Sequence, residues 1–412
     1  MLTGVVLMIR WRRTLYITVF GQFVSALGFS IIFPFLPLYV EQLGTHTLSV
    51  EFWAGMVYSA QALTMAVTAP IWGGLANRYG RKLMVERAMF GSAITMLLMA
   101  FAGSGEVLTL LRAAQGAVSG VISAASALIA SVTPRDRTGY AIGLLQMGMW
   151  GGISVGPLVG GFIADTFGYQ ATFVVTAVLL ALAGLLVWRS VEENFQPVTA
   201  VRSRQHGLTG EWRRILAAPG VALVYGLRLV NALGQSMLAP IAPLFIQALM
   251  PSGAHVATTT GLMTGLSSAA GVFSAVYLGR LGDRVGHRRV LTASALVAAI
   301  FYLPQPFVAE AWQLLALQVF TGAAIGGLTP TLSALLAGYT EPGEEGVVYG
   351  LDNSIVAGGR AIAPLLAGVI AAAFGYRGTL GAIALVFFGV AVLAFRRLPK
   401  RRPALQAQRA EA

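Results

Sequence analysis

The sequence predicts an all-α polytopic membrane protein with twelve transmembrane helices in two pseudo-symmetric six-helix bundles. Three observations carry this. The chain is 56% hydrophobic and only 11% charged, whereas roughly a quarter of residues are charged in soluble proteins. Apolar runs of about 20 residues, long enough to cross a bilayer core of about 30 Å, recur along it. An ordered set of Gly, Pro and polar residues returns 206 residues later. A β-barrel would need short alternating segments instead.

Taken in order, the spans are expected roughly at 14–40, 53–76, 84–103, 107–131, 140–164, 171–189, 220–247, 257–280, 290–308, 312–338, 347–372 and 379–396. Short loops rich in helix breakers separate them, such as Gly103-Ser104-Gly105, Phe167-Gly168-Tyr169 and Glu341-Pro342-Gly343. The exception is 190–219, a long polar segment. The expected organisation is therefore a first bundle over 1–189, a cytoplasmic linker over 190–219, a second bundle over 220–396 and a basic tail over 397–412.

The cations set the orientation. Of 28, 24 fall on one side of the twelve-span model: the N-terminus, the loops after spans two, four and eight, the linker and the tail. Only Arg377 falls on the other side, and Arg112, Arg228 and Arg360 lie inside spans. By the positive-inside rule both termini are expected in the cytoplasm of a bacterium, with the body in its inner membrane. The net charge of +12 is then a topology signal, and no nucleic-acid partner is expected. There is no cysteine, and His46, His206, His255 and His287 lie in or beside loops. No metal site and no cofactor are expected. No cleavable signal peptide is expected either, because the run from Val5 to Ile9 is too short.

The repeat is detailed. Ala26-Leu27-Gly28, Ser30, Pro34, Pro37 and Leu38 match Ala232-Leu233-Gly234, Ser236, Pro240, Pro243 and Leu244 at an offset of 206. Gly116 matches Gly322; later the offset drifts to 207, pairing Gly143 with Gly350, Gly152 with Gly359 and Pro157 with Pro364. Two parallel six-helix halves are a transporter pattern, with substrate bound near the bilayer midplane.

Four motifs resemble those of the major facilitator superfamily. Gly73-Gly74-Leu75-Ala76-Asn77-Arg78-Tyr79-Gly80-Arg81-Lys82 resembles its cytoplasmic loop signature, and Gly279 through Arg288 repeats it with Asp283, Arg284 and Gly286. Leu108, Arg112, Gln115 and Gly116 resemble the fourth-span signature. Gly152, Gly156, Pro157, Gly160 and Gly161 resemble the fifth-span antiporter signature. Leu27-Gly28 with Pro34 and Pro37 resembles the first-span pattern of twelve-span drug:proton antiporters. The resemblance covers nearly the whole chain and implies the major facilitator fold, alternating access and proton-coupled multidrug export, without covalent chemistry. It also implies that the loop acid is a gate contact at a helix start and that Arg112 takes part in proton coupling. The first loop departs from the pattern, with Asn77 where the second copy has Asp283. Its gate contact is expected to be weaker, although a packing and topology role alone would give the same residues. Glycines four apart at 152, 156 and 160 let two helices approach closely, as pivot and ion seal or as ordinary packing.

A charge inside a span needs a partner. Arg112 has Gln115 one turn away, and its repeat counterpart is the neutral Gln318. Among the sixteen acids, Asp352 alone lies inside a span, about five residues or about 7.5 Å deep. Arg228 lies about 12 Å in from the same side, whereas Arg360 is about 12 Å beyond Asp352 along the axis. Asp352 is thus the leading protonation or cation-recognition candidate, with Arg228 as candidate partner. A structural ion pair, or an Asp at a wet helix start, fits the same sequence. Spans three, six, nine and twelve carry no central charge and suit the lipid-facing periphery. Candidate cavity-lining residues are Gln22, Tyr58, Gln61, Gln146, Met147, Trp150, Asn231, Gln235, Asn353 and Arg360, a mixture suited to loosely specified amphipathic ligands. Each would serve equally as a helix–helix contact.

The function expected is export of drugs or other small amphipathic molecules by a monomer. A transporter of a defined metabolite, sugar or lipid in the same fold is the alternative. A receptor would need a large extramembrane domain, and a membrane enzyme a cluster of polar groups at one depth. Direct drive by ATP would need a phosphate-cradling G-x-x-x-x-G-K-[ST] loop, which the sequence lacks.

Overall fold

The computed structural model describes residues 2–134, 137–191, 193, 220–251, 254–339 and 345–398. No strand occurs among them. The helices of the first sequence half are α1 Leu2–Ile31, α2 Leu36–Leu43, α3 Val50–Tyr79, α4 Arg81–Met99, α5 Gly105–Val118, α6 Val121–Val132, α7 Thr138–Phe167 and α8 Tyr169–Ser190. Those of the second are α9 Val221–Ser236, α10 Ala242–Leu249, α11 Val256–Val285, α12 His287–Tyr302, α13 Ala311–Gly326, α14 Leu328–Tyr339 and α15 Glu345–Arg397.

The breaks follow from local chemistry, and they repeat. Pro34 denies the chain an N–H and disfavours helix in the residue before it, so the first span divides into α1 and α2. Pro37 then opens α2, and Pro243 opens α10 in the same way. The fourth span divides at Gly120 (φ 122°), and the tenth divides at Gly327. Left-handed glycines end helices at matched positions: Gly80 and Gly286 at φ 100° and 98°, Gly168 and Gly375 at 85° and 71°. Gly375 lies inside α15, which thus holds spans eleven and twelve. Side chains cap some starts: Ser49 accepts from the Phe52 N–H, and Glu310 forms a capping box with Gln313.

Seven stretches among the described residues are long and apolar enough to cross a membrane. The last, Gly350–Arg397, has 48 residues, enough for two crossings. Large apolar side chains lie on the surface, among them Phe101, Phe273, Phe307 and Phe374. Such a surface suits lipid rather than water.

The chain forms two compact units. The first takes 1–201, 239–265 and 364–372; the second takes 202–238, 266–363 and 373–412. The first ten residues of α11 (256–265) and a nine-residue piece of α15 therefore cluster with first-half helices. In the first unit α1 packs along α7 and α8, α3 along α5, and α4 along α8. Trp11, Leu15, Met89, Leu128, Leu145 and Val187 share one of its apolar clusters. In the second, α12 packs on α13 and α14, and α9 on α14. There Tyr302 stacks on Phe387 at 5.4 Å.

Candidate functional site

In the first unit α5 carries Arg112 into complete burial, with Gln115 beside it. The Arg112 Nη1 donates to Gln115 Oε1 at 2.6 Å. Its other partner is aromatic: the guanidinium sits 6.0 Å from the Phe29 ring. Arg112 Nε and Nη2 have no hydrogen-bond partner among the described residues. The hydrogen-bond partner is thus an amide. Close approach of α3 and α5 frames the group, since a methyl on Gly116 would strike the Gln61 carbonyl. Tyr58 donates to the Phe33 carbonyl at 3.0 Å and stacks on the Phe33 ring. Gln22 and the Gln61 amide nitrogen are buried without a partner among the described residues. At the repeat position in the second unit, Gln318 donates to Gln305 at 2.9 Å, and Gln305 donates to Thr321 at 3.2 Å. A neutral network stands there where the first unit holds a charge.

In the second unit α9 and α15 bring Arg228 and Asp352 together. Both are buried, at 9% and 4% exposure. Arg228 Nε donates to Oδ1 at 2.8 Å and Nη2 to Oδ2 at 2.8 Å, a bidentate fork. Nη1 donates to the Thr329 carbonyl at 3.2 Å, and Nη2 also to the Ser333 hydroxyl at 3.0 Å. Thr329 and Ser333 lie on α14, which therefore completes the cage. Tyr225, one turn before Arg228, donates to the Val348 carbonyl at 2.9 Å and ties α9 to α15.

The remaining cavity candidates divide. Gln146, Met147, Trp150, Asn353 and Arg360 are exposed, and Gln235 is half-buried with a 3.1 Å bond to Asn231. Gln22, Tyr58, Gln61 and Asn231 are enclosed by helix packing. Arg360 stands two turns beyond Asp352 on α15, and Arg228 is a like charge bearing on it. A guanidinium exposed at that depth calls for water or ligand beside it.

The glycine-rich loops place their turn at Gly80 and Gly286; Gly73 and Gly74 lie within α3 and face no neighbour within 4 Å. A methyl on Gly279 would meet Pro330 at 3.8 Å. The Asn77 side chain lies outside the described residues. A carboxylate does sit at the start of α4: Glu193 accepts from Arg81 N at 3.1 Å and Lys82 N at 2.8 Å. Sequence reasoning placed Glu193 in the linker and missed this role. The only available signal was an acid pair ending span six in a half whose basic loop opens a helix. Arg78 sits 5.3 Å from the Tyr79 ring. Asp283 is 3.4 Å from His287 Nε2, and Arg284 lies on the exposed last turn of α11.

The α7 glycines form a helix seam. Methyl groups on Gly152 or Gly156 would collide with α1, at the Phe23 carbonyl and Ser30 hydroxyl; on Gly160 the collision is with the Ile31 carbonyl. Ser30 donates back to the Gly152 carbonyl at 3.1 Å. Gly161 and Pro157 turn to α11, against Ala257 and Gly261.

The family model described as Major Facilitator Superfamily matches residues 18–228 and 224–412. A relative from Salmonella arizonae, multidrug resistance protein MdtG, is 35% identical over 403 residues, covering 97% of this chain and 98% of its own. The protein of that name from Salmonella paratyphi B is equally similar, at 35% and the same coverage. Among solved structures, a bacterial homolog of the human lysosomal transporter Spinster, inward-facing and unoccupied, superposes with a TM-score of 0.79. Its identity is 16%, over 94% of this chain and 96% of that one. A D-xylose-proton symporter gives 0.78 at 14% identity, over 95% and 98%. At these identities the structural likeness concerns the fold.

Proposed function

The chain belongs to the Major Facilitator Superfamily and is a membrane-spanning secondary transporter of small molecules, and we propose that it exports drugs or other small amphipathic molecules in exchange for protons. It is not an enzyme. The observation that carries the proposal is the similarity to multidrug resistance proteins along almost the entire chain. The site it relies on is Asp352 with Arg228.

Protonation of Asp352 removes the charge that the Arg228 fork holds. The guanidinium then keeps only Thr329 and Ser333, so the cage loosens on α9, α14 and α15 together. Loss of the proton to the cytoplasm restores the fork. The exposed Trp150 and Met147 of the first unit, and the exposed Asn353 and Arg360 of the second, are the proposed substrate-contacting residues. The proposed setting is a monomer in the inner membrane of a bacterium with both termini cytoplasmic. The two bundles, 1–189 and 220–396, would alternate about the linker.

Reconstitution in liposomes with an imposed pH gradient tests this with cationic, neutral and anionic drugs. Drug movement that follows the gradient in wild type, and loses it in D352N, is the expected result. Movement that ignores the gradient removes the antiport claim. A saturable profile for one metabolite alone would favour the narrower transporter.

A further inference from the structure

At the end of the first unit away from the glycine-rich loops, two seams join first-half helices to second-half segments. In one, Gly161 and Pro157 of α7 meet Ala257 and Gly261 of α11. In the other, Gly368 and Pro364 of α15 meet Glu51 and Gly55 of α3. Each residue of one seam has its counterpart in the other at the repeat offset of 206 or 207. At all four glycines a methyl group would strike a backbone carbonyl across the seam. At these points both seams are therefore backbone against backbone.

Their fastenings differ. The α15–α3 seam is tied in its middle: the Leu365 N–H donates to Ser59 Oγ at 3.1 Å. Pro364 disturbs the helix there, and Ser59 supplies the Leu365 N–H with an acceptor. The counterpart of Ser59 is Gly265, which has no hydroxyl. The α7–α11 seam is tied at its end. Asp165 accepts from Ala257 N at 3.2 Å and from Thr258 N at 2.6 Å. These are free donors of the first turn of α11, where a carboxylate also meets the positive end of the helix dipole. His255 Nδ1 lies 3.9 Å from the same carboxylate. The counterpart of Asp165 is Ala372, so the other seam has no such cap.

We infer that Asp165 is the latch of this end of the transporter. Its carboxylate on the α11 N-terminus holds the α7–α11 seam shut, and Ser59 does the same for the other seam. The inference rests on the alternating-access reading, in which both seams must part once per cycle. The latch adds a specific element: this closure is set by one carboxylate and one hydroxyl on opposite seams.

The chain has no cysteine, so two introduced cysteines give a clean pair of spin-label sites. Leu48 and Ala248 are exposed, one in the first sequence half and one in the second. Interspin distances between L48C and A248C are measured in lipid nanodiscs, with and without substrate, in wild type, D165N and D165E. Asn keeps one acceptor oxygen but loses the second and the charge at the helix N-terminus, together about 1 kcal/mol, so D165N should raise the long-distance population about fivefold. D165E, which keeps the charge, should restore most of the short-distance population. A wild type that switches distance with substrate while D165N matches it would overturn the latch and leave alternating access standing. A wild type fixed at one distance with D165N lengthened would do the reverse. A merely structural cap would lower the unfolding temperature of D165N and leave the distance distribution in place, and that result also overturns the latch.

Discussion

Asp352→Asn removes the charge from the Arg228 pair while keeping the shape of the side chain. In wild type, Arg228 commits Nε and Nη2 to the carboxylate at 2.8 Å each, and its other bonds go to Thr329 and Ser333. An amide offers one oxygen to those two donors and turns an NH2 toward the other. Both residues are buried, so water cannot replace the lost acceptor. Breaking a buried pair from one side costs about 3–5 kcal/mol. Much of that is the isolated guanidinium, so R228Q/D352N should lose less than D352N alone. Denaturation of the purified proteins in detergent reads both numbers. In liposomes D352N should retain substrate exchange without a gradient and lose the response to one. Wild-type stability in D352N, or a double variant no better than the single, would refute the reasoning.

Arg112 gives the opposite expectation for stability: its guanidinium is wholly buried with no acid paired to it among the described residues, so R112M should unfold no earlier than wild type while transport falls at least tenfold. Loss of transport with loss of folding would instead assign Arg112 to structure. Glu193→Gln removes the carboxylate from the start of α4 and should cost about 1 kcal/mol, an effect that shrinks as salt is raised in thermal unfolding. Glu106 is held down to about 2, chiefly by the backbone N–H of His46, which donates to it at 2.7 Å. Because its folded pKa is depressed, its contribution is complete above the ordinary value of 4.5 and is lost as pH falls from there to about 2. Acid unfolding followed by fluorescence should therefore be flatter in that window for E106Q than for wild type.

Much of the fold was legible because a bilayer permits few solutions. Long apolar runs must be helices, and Pro34, Pro240, Gly120 and Gly168 mark where those helices bend or stop. The broken spans were less legible. A run such as 107–131 reads as one apolar stretch, and its division at Gly120 depends on a left-handed turn that hydropathy does not see. Among site residues, Gln115 was readable because i and i+3 share a helix face. Depth along the helix axis brought Arg228 and Asp352 together across 124 residues. Glu193 was not readable: its contact with α4 spans 111 residues and leaves no local pattern. Nor could the enclosed Gln22, Gln61 and Asn231 be told from the exposed Gln146 and Asn353. In a membrane protein a polar side chain turns away from lipid in either case, toward another helix or toward a cavity.

The repeat was the strongest signal in the sequence, and it also marks where the halves part company. Residues whose work is geometric stay paired: Pro157 with Pro364, Gly161 with Gly368, Gly80 with Gly286. Turns and close contacts need the same small or rigid residue wherever the fold repeats. Several residues whose work depends on charge or hydrogen bonding do not stay paired. The repeat counterpart of Arg112 is Gln318, of Asp165 Ala372, of Ser59 Gly265 and of Asp352 Leu145. If both halves performed the same step, a loss on one side would leave a spare copy on the other. They hold no spare. The charged groups are therefore divided between the halves, and single substitutions at Arg112, Asp165 or Asp352 should each produce a different defect, with no second copy to mask it.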